Sequence, residues 1–215
     1  MSFLSKQEFE QKKETFIHEI LDFLKERIQP DEVAKGVSFI PVLENGDKLV
    51  LGRENSGHYR HKVNFFGGSL QDKSSNPDHP TYEDIAGGLF EEVAEEFGVL
   101  LKAEEVKKYL IDIYRATARR RNGQAPVVTL MFLVAYRDFD CDVWKKVMSQ
   151  RNPELSCWNE HEEAKAWKEE ELDMKNVSSF VQGYIARIYL KARTQWNRRI
   201  KGVSYNKQEK IIMYS

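Results

Sequence analysis

Apolar residues at Phe9, Phe16, Ile20, Phe23, Leu24 and Ile28 follow helical spacing, which predicts an amphipathic helix closed by Pro30. The pattern then changes period. VSFIPVL, Val37–Leu43, is a continuous apolar run of strand length, and ENGDKLVLGR sets an Asn-Gly turn between it and a second strand. KVNFFGG predicts a third strand ending in Gly67 and Gly68, and SLQDKSSNPDHP has loop composition. Thr81, with Asp84 three residues on, predicts an N-cap with an approximate capping box. The helix it opens runs to about Phe97, with Gly98 in the position that commonly follows a helix end.

YLIDIYRATARR and VVTLMFLVAY predict two further strands, joined by RNGQAP with a second Asn-Gly turn. CDVWKKVM fits a short helix, 149–160 is irregular, and HEEAKAW fits a last strand. EEELDMKN then leads into a long helix from about Val177 to Ile200. Hairpins mixed with helices in this order predict an α+β fold rather than a doubly wound parallel sheet. The length of 215 residues suits one well-buried domain with additional helices.

Composition narrows the function only by exclusion. With 33 basic and 34 acidic residues, global charge favours neither nucleic acid nor a membrane surface. Two cysteines, Cys141 and Cys157, are too few for a disulfide scaffold. No secretory signal and no run of transmembrane length is visible, so a soluble cytoplasmic protein is expected.

The stretch LFEEVAEEFGV, Leu89–Val99, puts four glutamates into six residues, with no Lys or Arg within four positions of them. At about 100° per residue, Glu92, Glu95 and Glu96 fall in one sector, opposite Ala86, Leu89, Phe90, Val93 and Phe97. A solvated acidic face is the plain reading of such a helix. Against it, Glu91/Glu95 and Glu92/Glu96 are like-charge pairs one turn apart, and all four lie where the helix dipole disfavours negative charge. Carboxylates clustered at this spacing suit a hard, oxygen-ligated cation such as Mg²⁺ or Mn²⁺.

Strand, Gly-Gly, loop, glutamate and then E-V-x-E-E-x-G-V resembles the signature of the Nudix hydrolases, G-x5-E-x7-R-E-U-x-E-E-x-G-U, with U a bulky aliphatic residue. Gly68, Glu83, Glu92, Val93, Glu95, Glu96, Gly98 and Val99 match it, with the spacer Asp84–Phe90 intact. The chain departs in three places. Fourteen residues separate Gly68 from Glu83 instead of five, Glu91 stands where the signature has arginine, and Phe66 stands where many relatives have proline. Loop insertion is thermodynamically cheap. The glutamate at 91 cannot orient its neighbours as an arginine would.

The resemblance implies a Nudix-type α/β/α sandwich with a mixed β-sheet over 31–200, an N-terminal helical extension over 1–30 and a C-terminal tail over 201–215. It also implies a metal-dependent hydrolase acting on a diphosphate linkage in a nucleoside diphosphate derivative, with capped RNA or a dinucleoside polyphosphate as possible substrates. An inactive nucleotide- or protein-binding module on the same fold is the alternative that Glu91 raises. Metal ligands would be Glu92, Glu95 and Glu96, with Glu83 and Gly68 beside them. The general base would be Glu92 or a nearby glutamate such as Glu95, or one of Glu160, Glu162 and Glu163 before and within the last strand. Arg53, Gly67, Gly68 and Arg115 are candidate substrate contacts, and homodimers are common among such proteins.

Other residues have plainer roles. Tyr114 reads as a buried strand aromatic, and the four tryptophans (Trp144, Trp158, Trp167, Trp196) as packing residues able to stack on a base. His58 and His61 lie in a loop without metal-ligand spacing. RNA contact would fall to Arg119–Arg121 or Arg198–Lys201 and be salt-sensitive.

Overall fold

The computed structural model describes residues 5–28, 34–55, 57–70, 80–118, 127–136, 139–149 and 161–199. Pro30, Arg119–Arg121, Cys157, Trp158, Glu160 and Lys201 lie outside them.

Helix α1 (Lys6–Arg27) opens on a capping box between Ser5 and Glu8 and buries one stripe, Phe9, Phe16, Ile20 and Leu24. Strand β1 (Ala34–Leu43) turns through Glu44–Gly46 into β2 (Lys48–Glu54), pairing Leu43 with Lys48 and Val42 with Leu49. The Asn-Gly hairpin is therefore present, as expected. Gly46 has φ +92°, and a Cβ there would sit 2.6 Å from the backbone of Ala192 and Arg193, so this turn admits little but glycine.

The expected third strand is split into β3 (Val63–Asn64), paired with β2, and β4 (Phe66–Ser69), paired antiparallel with the first half of β1. Helix α2 (Tyr82–Glu92) starts on the predicted capping box: Asp84 N–H donates to Thr81 Oγ1 at 3.2 Å, and Thr81 N–H to Asp84 Oδ2 at 2.8 Å. The helix continues to Phe97, but Val93–Phe97 is a π-turn, and Gly98 ends it in the left-handed region at φ +76°. The sequence pattern foresees the length and the stop, not the widened last turn.

Helix α3 (Ala103–Tyr109) has no counterpart in the sequence reading; two buried residues, Ala103 and Val106, make too short a pattern to register. Strands β5 (Leu110–Ala118) and β6 (Val127–Ala135) pair antiparallel, and the Asn-Gly turn expected between them lies outside the described residues. They are followed by α4 (Cys141–Ser149), β7 (His161–Trp167) and α5 (Ser179–Arg199).

The sheet runs β3-β2-β1-β6-β5, with β4 added on β1 and β7 on β2; β1 and β6 are parallel, the other pairings antiparallel. β6 alternates strictly. Val128, Leu130, Phe132 and Val134 join the core under α1 and α2, whereas Met131, Leu133 and Ala135 join the core under α5. Both faces are thus buried, which explains the unbroken apolar runs in β1 and β6. The result is the expected α+β, three-layer α/β/α arrangement with a mixed sheet. Among the described residues, no helix is long and apolar enough to cross a membrane.

Helix α1 shares the main core. Phe9 and Phe16 pack on Phe90 at ring distances of 5.5 and 5.4 Å, and the Tyr82 hydroxyl donates to the Ile28 carbonyl at 3.1 Å. Each such fully buried large apolar side chain stabilises by roughly 1.5–3 kcal/mol.

Candidate functional site

The carboxylate-bearing end of α2 is held against β4. Leu89, Phe90, Val93 and Phe97 are buried in the core beneath it, which fixes the helix's rotation. Glu92 and Glu96 then project from buried positions, 6% and 3% exposed, and Glu95 is half-buried. These are not side chains of a solvated acidic face.

Each buried carboxylate meets a glycine of β4. The Gly67 N–H donates to Glu96 Oε2. A Cβ at Gly68 would lie 2.5 Å from Glu92 Oε1, so the absent side chain is the space this carboxylate occupies. Gly67 has φ +143°, and a Cβ there would press on the β1 backbone at Val37 and Ser38. Gly67 is therefore required by its own backbone and by β1, whereas Gly68 leaves the Glu92 carboxylate its room.

The buried imidazole of His161, at the start of β7, places Nδ1 3.9 Å from Glu96 Oε2 and packs on Phe66 at 5.0 Å. Its ring fills the place a Gly52 side chain would take. A bulge in the β2–β7 register between Arg53 and Glu54 sets His161 here.

A hard divalent cation takes carboxylate oxygens, and Glu92, Glu95 and Glu96 supply them beside a glycine pair that leaves room. The donor chemistry fits Mg²⁺ or Mn²⁺. Among the described residues, three donors with ligand atoms all within 4.8 Å of one another occur at Asp140–Cys141–Asp142, not at this trio. That exposed triplet is a helix start: Asp140 Oδ1 accepts from the N–H groups of Asp142 and Val143 at 2.8 and 3.1 Å, capping α4.

Glu83 stands apart from the other expected ligands. It is exposed in the first turn of α2, nine residues before Glu92, which is about 13 Å along the axis and half a turn around it. Arg53 faces Glu163, Nε to Oε2 at 3.3 Å, with Nη1 3.5 Å from the His61 carbonyl. Glu162 is exposed, 3.4 Å from His61 Nδ1. Arg53 of β2, Glu162 and Glu163 of β7 and His61 of the loop before β3 thus form one polar cluster. Arg115 is exposed on β5 at the far edge of the sheet. Tyr114 is only partly buried, not the buried aromatic expected, because it sits on the edge strand β5, and it packs on Tyr184 at 6.2 Å; Trp144 and Trp196 are buried and serve packing.

No family model matches the sequence, and no curated protein matches it. Among solved structures, the chain is similar to the Nudix domain of Shewanella oneidensis NrtR complexed with ADP ribose, at 12% identity and TM-score 0.44 over 83% of this chain and 97% of that one. It is similar to the Bacillus subtilis pyrophosphohydrolase BsRppH at 15% identity and TM-score 0.44, over 78% and 86%. A Nudix hydrolase from Nitrosomonas europaea gives 16% identity and TM-score 0.42, over 78% and 72%. Likeness at this level transfers neither an activity nor a ligand.

Two residues of the site escape sequence reasoning. A single histidine opening HEEAKAW has no pattern around it, and only the β7 bulge brings His161 to Glu96. Lys13, 78 residues from Glu91, is its ion-pair partner at 2.9 Å, and nothing in a helical pattern announces a cross-helix contact.

Proposed function

We propose that this chain is a divalent-metal-dependent hydrolase of a diphosphate linkage in a nucleoside diphosphate derivative. The observation that carries the reading is the burial of Glu92 and Glu96 against Gly67 and Gly68, with Glu95 alongside. Buried carboxylates are costly unless compensated, so a sequence that clusters them beside a cleared glycine strand has a use for their charge.

When bound, Mg²⁺ or Mn²⁺ supplies charge neutralisation at the diphosphate oxygens and a more acidic water. Glu92, Glu95 and Glu96 would hold the ion. The Gly67 amide fixes the Glu96 carboxylate, and Gly68 gives Glu92 its space. The proton acceptor is Glu92 or a β7 glutamate. Glu162 and Glu163 follow His161 directly in β7, and Arg53 orients Glu163.

The test is product release from a panel of nucleoside diphosphate sugars, dinucleoside polyphosphates and capped RNA, with Mg²⁺, with Mn²⁺ and with chelator. Release that needs the cation supports the reading. A panel inert under all conditions overturns it and leaves a binding module.

A further inference from the structure

A cavity of about 280 Å³ lies on the other side of the Gly67–Gly68 strand, bounded by the first turn of α5 and the loop before β3. Strand backbone and Ser38 line one side. Three aromatic residues, Tyr59, Phe65 and Phe180, also line it, together with the polar side chains of Lys35, Asn64 and Thr129. Phe65 is buried and packs edge-on against Phe180 at 6.0 Å. Tyr59 and Phe180 are only half-buried, so part of each ring borders open space.

Both rings are placed from outside the glycine–glutamate motif. Phe180 packs on Tyr184 at 5.5 Å, one helical turn along α5. The Tyr59 and Ser179 hydroxyls are 3.3 Å apart, which ties the loop to the helix start. Beneath them, Ser178 Oγ donates to Asn64 Oδ1 at 2.9 Å and accepts from the Val181 N–H at 3.1 Å. The α5 start is thus anchored to β3 while its aromatic residue borders the cavity.

Aromatic faces beside a strand stripped of side chains suit a flat, polarisable ligand better than a branched one. The volume is below the roughly 300–1,000 Å³ of pockets that enclose a whole drug-sized molecule, so it suits one ring system of a larger ligand. Gly67 and Gly68 line this cavity and also meet Glu96 and Glu92, so one strand separates the cavity from the carboxylates. We infer that this cavity binds a nucleobase against Tyr59 and Phe180, which makes the first turn of α5 part of the ligand site. This rests on the nucleotide reading above and extends it to the residues that grip the ring. The Asn64 side chain is engaged by Ser178 and Glu54, and purines bind best by stacking area.

The experiment is a calorimetric titration of the full chain in chelator with adenosine, guanosine, cytidine and uridine. Ribose 5-phosphate is the ring-free control. Nucleosides bind and ribose 5-phosphate does not. Phe180→Leu and Tyr59→Leu each weaken adenosine by about 10-fold, and Phe180→Tyr restores it. Mn²⁺-dependent pyrophosphate binding is unchanged in all three variants. Should Phe180→Leu fail to fold, Tyr59→Leu, altered in a loop, decides alone. Absence of nucleoside binding at millimolar concentration, or equal affinity in the leucine variants, overturns the inference. Pyrophosphate binding that persists without nucleoside binding sinks this inference alone. Nucleoside binding without metal-dependent hydrolysis sinks only the enzymatic reading.

Discussion

Lys13 Nζ lies 2.9 Å from Glu91 Oε1 and 2.8 Å from Glu10 Oε2, joining α1 to the last α-helical turn of α2. Lys13 and Glu91 are each 20% exposed, so the contact is largely shielded from water. Glu91 faces a lysine across the helix pair in this chain. A glutamate there is the complementary charge, and from across the helix pair Lys13 offsets part of the repulsion between Glu91 and its neighbouring glutamates.

Lys13→Met and Glu91→Gln are each expected to lower stability by about 1 kcal/mol, with a double-mutant coupling of about 0.5–1 kcal/mol. Glu91→Arg costs more than Glu91→Gln because it sets a second cation against Lys13. Urea denaturation measures all four. Wild-type stability in Glu91→Arg would show that the pair is not stabilising.

The same pair sets a pH dependence. Burial opposes the charged form of Lys13, but its bonds to Glu10 and Glu91 outweigh this and raise its pKa above the ordinary lysine value. A raised lysine pKa contributes stability that is full below the unfolded value of about 10.4 and is lost as pH rises through the folded one. Stability of the wild type therefore falls more steeply above that pH than stability of Lys13→Met. Parallel curves from pH-dependent urea unfolding would refute the assignment.

The two glycines separate by variant. At Gly68→Ala the new methyl meets the end of the Glu92 side chain, which can swing away, so stability changes little while Mn²⁺ affinity drops. At Gly67→Ala the methyl meets β1 backbone at a φ of +143°, so stability falls by about 1–3 kcal/mol. Thermal unfolding and Mn²⁺ titration by electron paramagnetic resonance read both. The reverse ranking would show that the contacts are misassigned.

Glu92→Gln and Glu96→Gln remove charge and keep shape. Both are expected to fold, to bind Mn²⁺ at least about 10-fold more weakly, and to lose chelator-sensitive turnover. Turnover at the wild-type level in either variant would exclude that residue from the site.

Asn64→Ala breaks a side-chain chain from Glu54 through Asn64 to Ser178. Leaving such buried groups without a partner costs about 1–3 kcal/mol. Because Ser178 caps α5, hydrogen exchange should speed up first in Val181 and Gln182. Uniform protection across α5 would contradict the anchoring role.

The motif helix was legible because its signals are local. Thr81 with Asp84 makes a cap, an apolar stripe sets a face, and Gly98 provides the left-handed residue that ends the helix. Its last turn was not legible, since a π-turn changes hydrogen bonding without changing composition. Helix α3 was missed for a different reason: AEEVKKY is stabilised by packing on α1 and β5, not by a pattern of its own.

Residue types and spacing by themselves determined the α+β order, the two buried central strands, and a carboxylate face preceded by two glycines. These follow from side-chain period and backbone freedom, both properties of neighbours in the chain. Only the tertiary structure decided which carboxylates are buried, that Glu83 stands away from them, that His161 and Lys13 join the site's surroundings, and that Tyr59 meets the start of α5. Those outcomes depend on distances between segments up to 120 residues apart. They are set by how two cores close on opposite faces of one sheet, which no local pattern encodes.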